Sequence, residues 1–147
     1  MGSKAFVRSE IGETSPAAAS TVVGTKKSGS LESAESLTIV AALTGATGGT
    51  LDVYLQTSYD GGTTWYDFAH FAQVTAAAAV VYKTWHVARQ VQSAAAPVTV
   101  GKDAVPALAA STILGGSWGD LIRAVYVAGV GTAAGAAQSI QIIGHRP

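Results

Sequence analysis

Cysteine is missing from this 147-residue chain and charge is sparse: 12% of residues are charged, nine Lys+Arg against nine Asp+Glu. Without cysteine there is no disulfide framework, no thiolate nucleophile and no Cys-based zinc site. A net charge of zero, with no basic run longer than Lys26-Lys27, removes the electrostatic footprint of a nucleic-acid binder. No apolar run approaches the roughly 20 residues that cross a bilayer. Arg123 interrupts the stretch from Leu121 to Val130, and the alanine-rich segments are weakly hydrophobic. Met1 to Arg8 carries neither the apolar region nor the cleavage site of a secretory signal. The expectation is a soluble chain without nucleic-acid or membrane partners.

What is present is apolar but small. The 48% hydrophobic fraction leans on alanine, and 17 glycines punctuate the chain. A length near the modal domain size predicts one domain that buries roughly 70% of its unfolded surface. Residues 1–19 show no sustained period and are read as an extended N-terminal arm; residues 20–147 are read as the domain. Ser20–Thr25 is a short strand candidate. Ser36–Thr44 puts Leu37, Ile39, Ala41 and Leu43 on one face. Thr50–Ser58 alternates strictly, with Leu51, Val53, Leu55 and Thr57 opposed to Asp52, Tyr54, Gln56 and Ser58. Asp60-Gly61-Gly62 turns the chain and Trp65–Val74 returns it, a hairpin. Val80–Arg89 is apolar on both faces. Residues 90–117 carry Pro97 and Pro106 and read as a long excursion with a short strand at Val98–Val100. Asp120–Gly129 and Gln138–Gly144 are closing strands around a small-residue loop, Val130–Ala137. About six to eight strands joined by glycine-rich turns, without βαβ alternation, predict an all-β fold: an antiparallel β-sandwich or a jelly-roll-like barrel.

Ser58-Tyr59-Asp60-Gly61-Gly62-Thr63-Thr64-Trp65 is similar to the Asp-box, Ser-x-Asp-x-Gly-x-Thr-Trp. Its logic is structural. Of the turn residues Ser58, Asp60, Gly62, Thr64 and Trp65, the Ser58 and Asp60 side chains can bond to turn amides, Gly62 takes an unusual dihedral, and Trp65 packs beneath. One copy in a chain this short excludes the multi-bladed propeller in which the motif recurs.

Chemistry finds little support. His70, His86 and His145 are isolated, with no metal-binding spacing, and read as exposed or hydrogen-bonded strand histidines. Asp52, Asp60 and Asp67 flank one hairpin but are too few for calcium. Glu10, Glu13, Glu32 and Glu35 lie in polar surroundings and read as solvated charges. There is no nucleophile elbow and no phosphate loop. The expectation is a protein that is not an enzyme and has no cofactor. Trp85 and Trp118 are candidates for a sugar-stacking platform, the core or an interface; Phe6, Val7 and Ile11 of the arm are further candidate interface residues.

The hairpin from Thr50 to Ala69 and the Leu121–Thr132 strand and hairpin resemble structural proteins of tailed-bacteriophage virions. The resemblance implies a capsid decoration (cement) protein on the capsid surface, assembled in the host cytoplasm. It would bind the major capsid protein or other virion proteins, as a homotrimer on threefold axes. A tail or neck protein and a carbohydrate-binding module are the alternatives. Sparse charge and apolar strand faces suit a subunit covered by neighbours.

Overall fold

A computed structural model of the chain describes residues 4–16, 19–45, 49–75, 80–88, 99–115, 118–129 and 136–147, with backbone alone for 80–86. The described residues form nine strands and no helix: β1 (Lys4–Glu10), β2 (Ser20–Lys27), β3 (Ser36–Thr44), β4 (Leu51–Ser58), β5 (Tyr66–His70), β6 (Val80–Ala88), β7 (Thr112–Ile113), β8 (Leu121–Ala128) and β9 (Ser139–Arg146). They pair antiparallel into two sheets, ordered β1-β9-β3-β6 and β2-β8-β4-β5-β7. This is a β-sandwich.

Period-two patterning builds the core. Leu37, Ile39, Ala41 and Leu43 of β3 and Ile140 and Ile142 of β9 line the first sheet's inner face. Leu51, Val53 and Leu55 of β4 and Ile122, Ala124 and Tyr126 of β8 line the second's. A one-residue slip would turn either set to solvent, so the burial itself holds the register.

Within the segment read as an arm, Lys4–Glu10 is a strand. β1 pairs with β9 over Lys4↔Arg146 to Glu10↔Gln141, with a register shift between Ala5 and Val7. The chain then crosses to the other sheet through Ile11, which has no exposed surface. Two glutamates fix that crossing. Glu10 accepts hydrogen bonds from the amides of Gly12 (2.9 Å) and Ile140 (2.8 Å). Glu13 accepts from the amide of Thr25 (2.6 Å) and from its hydroxyl, and its own amide donates to Tyr126 Oη (2.9 Å). These are structural ties, not the solvated charges expected.

The candidate interface set divides accordingly. Ile11 and Trp118 (2% exposed) belong to the core, Trp118 edge-on to Phe68 at 6.5 Å, and cannot face a partner. Phe6 and Val7 are half-buried against the same core. The Trp85 backbone lies opposite Ile39, while its side chain is outside the described residues. Residues 130–135 and 89–98 are also outside them, and with them most of the expected closing loop and the start of the excursion.

Candidate functional site

The Asp-box-like turn comes together as its sequence implies. Ser58 Oγ accepts from the Gly62 amide (2.8 Å) and donates to Asp60 Oδ1 (2.8 Å). The same Asp60 oxygen accepts from the amides of Thr64 (2.8 Å) and Thr63 (3.1 Å). The bonds from Thr64 and Ser58 hold the Asp60 carboxyl at about 2, below its usual 3.8. Gly61 and Gly62 have φ of 70° and 96°, a region that side chains with a Cβ rarely enter. Trp65 is buried beneath, its Nε1 donating to Gly62 O (2.9 Å), with the Arg123 guanidinium 4.5 Å above its ring. Gly119 brings the opposing chain so close that a Cβ there would sit 1.8 Å from Ser58 O.

From this turn a polar row runs across the outer face of the second sheet. Cross-strand pairing aligns Lys27, Arg123, Gln56 and Asp67. Arg123 donates through Nε (3.1 Å) and Nη2 (2.9 Å) to Gln56 Oε1, and Gln56 Nε2 donates to Asp67 Oδ1 (3.1 Å) and to Asp103 O (2.8 Å). Burial lowers the Arg123 pKa, against the pull of Asp103.

Asp67, 2% exposed, is the centre of the arrangement. Its Oδ2 accepts from the amides of Gly101 (2.7 Å), Ala107 (2.7 Å) and Leu108 (2.8 Å). One carboxylate thereby ties residues 101–108 of the excursion to the edge of this chain's own sheet, where Lys102 bridges to Tyr66 and β7 pairs with β5. Among the described residues no ion pair reaches Asp67; amide dipoles hold the carboxylate.

His70 makes the second clamp. Its Nδ1 meets Leu108 O at 2.7 Å and its Nε2 meets Asp52 Oδ1 at 3.0 Å, while the ring stacks on Tyr54 at 3.7 Å. The β4–β5 bulge explains why Asp67 and His70 share a face despite odd spacing. Leu55 pairs with Ala69 and Gln56 with Asp67, so Phe68 is the extra residue.

An Asp–His pair has the composition of an acid–base dyad, but both His70 nitrogens are engaged and its side chain is 5% exposed. Neither nitrogen faces a space for a substrate. His145 meets Thr38 Oγ1 at 3.0 Å; the His86 side chain is outside the described residues. Asp52, Asp60 and Asp67 serve three separate hydrogen-bond sets, and no metal-competent group of acidic or histidine residues occurs among the described residues. A groove of ≈ 380 Å³ on the β1–β9 face is lined by Arg8, Ser9, Glu10, Gln141 and Ile143, without a nucleophile–base pair.

Exposed apolar surface gathers near the turn instead. Tyr59 is 55% exposed and Tyr66 38%, with ring centroids 6.5 Å apart. Tyr66 bridges to Lys102, and Lys102 to Val105, which is 73% exposed. The sequence carries this signal in Tyr59, at an unspecified position of the motif, and in Tyr66, directly after it. Set against protein-family models, curated proteins and solved structures, the chain matches none of them.

Proposed function

We propose that this chain is a non-enzymatic structural subunit of a tailed-bacteriophage virion, a capsid decoration (cement) protein. It binds the major capsid protein or a neighbouring virion protein at the capsid surface, as a homo-oligomer for which a trimer is the expectation. One observation carries the reading: carboxylates and a histidine capable of chemistry are spent on holding backbone, while several large apolar side chains are left exposed. Asp67, His70 with Asp52, Asp60, Glu10 and Glu13 all bind turns, loops or crossings. Tyr59, Tyr66, Val100 and Val105 face outward. Exposed large apolar side chains on a chain this poor in charge favour contact with another protein.

The test mixes the purified chain with capsids that lack it, followed by sedimentation and electron microscopy. Co-sedimentation in a regular stoichiometry, with added density at symmetry-related shell positions, is expected. No co-sedimentation refutes the cement reading, and rings or tubes formed without capsid binding replace it with the tail or neck alternative.

A further inference from the structure

We propose that Tyr59 and Tyr66, with Lys102 and Asp103 beside them, form a binding site for a neutral oligosaccharide. The site does not depend on the virion reading, since a capsid surface protein and a free module could both carry it. It is distinct from the Trp85 and Trp118 platform considered from sequence: Trp118 is sealed in the core, and the Trp85 side chain lies outside the described residues.

Three observations converge. The first is the aromatic surface itself: two rings, 55% and 38% exposed, with centroids 6.5 Å apart and planes inclined at 47°. A tyrosine offers a sugar an apolar face for its C–H groups and a phenol for its hydroxyls. The second is rigidity. Tyr59 lies between Ser58 and Asp60, which bond to each other, and its Cδ1 lies 2.9 Å from where a Gly119 Cβ would be. Tyr66 is held through its bridge to Lys102 and follows Trp65, whose amide donates to Asp103 Oδ1 (3.1 Å). Rings mounted on fixed backbone lose little freedom on binding, which favours a small ligand.

The third is the polar pair. Lys102 Nζ and Asp103 Oδ2 stand 3.9 Å apart, beyond hydrogen-bond length, with side chains 61% and 49% exposed. A hydroxyl both donates and accepts, so it fits between an ammonium and a carboxylate. Opposite charges side by side favour a neutral ligand over an anionic or cationic one. The inclination of the rings selects further. Coplanar rings suit a flat ribbon such as a β-1,4-glucan, whereas rings inclined at 47° suit a chain whose successive sugars turn, such as an α-1,4-glucan.

An open site of this kind binds weakly, with a Kd on the order of 0.1–1 mM. The experiment is a ¹⁵N NMR titration of the full chain with maltotetraose, and in parallel with cellotetraose, up to about 10 mM. Saturable shifts at the Tyr59, Tyr66 and Lys102 amides, stronger for maltotetraose, are expected. Tyr59→Ala and Tyr66→Ala should each weaken binding about tenfold or more, and the double variant should abolish it, with Tm unchanged because both rings lie outside the core. Silence toward both sugars overturns the proposal, as does equal binding by the double variant. Shifts that follow protein concentration alone would reassign the surface to self-contact.

Discussion

Replacing one oxygen of Asp67 by an amide nitrogen tests how residues 101–108 are held at the sheet edge. In Asp67→Asn the remaining oxygen can still meet the amides of Gly101, Ala107 and Leu108, now as a neutral acceptor. Bonds to a charged acceptor contribute roughly 1.5–3 kcal/mol and neutral ones roughly 0.5–1.5, so three bonds lose about 3 kcal/mol together. The new NH₂ also faces Gln56 Nε2, donor against donor. Gln56 cannot relieve this by flipping, because its Oε1 is held by two Arg123 nitrogens. That conflict adds about 1–3 kcal/mol, limited by the free energy of simply releasing the loop. The readout is amide hydrogen exchange. At about 1.4 kcal/mol per decade, protection at Gly101, Ala107 and Leu108 should fall about a thousandfold or more, or to that of an open loop. The inner-strand amides of Ile39 and Leu55 should change far less. Unchanged protection at the three loop amides would refute the assignment of Asp67 as the dock.

Acid tests the turn: Asp60 titrates at about 2 against an unfolded 3.8, so its stabilisation is complete above about pH 4 and lost as pH falls through about 2. The Thr64 amide shift should follow that step and lose it in Asp60→Asn; a midpoint near 4 would contradict the hydrogen-bond set. Trp118→Ala should cost about 3–5 kcal/mol in denaturant unfolding, as for a large aromatic lost from a core, and a cost below about 1 kcal/mol would return Trp118 to the surface. Deleting residues 4–10 should abolish cooperative unfolding, because Ile142 and Gly144 lose their flanking strand. A truncated chain that unfolds cooperatively would restore the arm reading.

The strands that face solvent on one side and core on the other were legible from alternation alone. β3 spans the segment predicted, and the inner residues Leu51, Val53 and Leu55 of β4 fall on one predicted face. β1 was not, because the irregularity between Ala5 and Val7 breaks the period that would have announced it. Asp67 was hidden for a similar reason. The Phe68 bulge puts residues 67 and 70 on one face, which strict alternation forbids, and the Asp67 amide partners lie 34 to 41 residues away. The turn motif was legible because Ser58, Asp60, Gly62, Thr64 and Trp65 satisfy one another locally. The tyrosine pair was not legible, because nothing in the alternation separates the exposed Tyr59 and Tyr66 from the fully buried Tyr126.

The position of β9 between β1 and β3 bears on how the molecule assembles. Ile140 donates its amide to a side chain 130 residues earlier. During synthesis β1 and β3 therefore emerge well before the strand that joins them and must wait, with backbone edges unpaired, until β9 leaves the ribosome. Non-local pairing of this kind makes folding slow, and the waiting chain is the species most exposed to aggregation. Yield on expression should thus depend on translation and temperature more than the finished sandwich's stability would suggest.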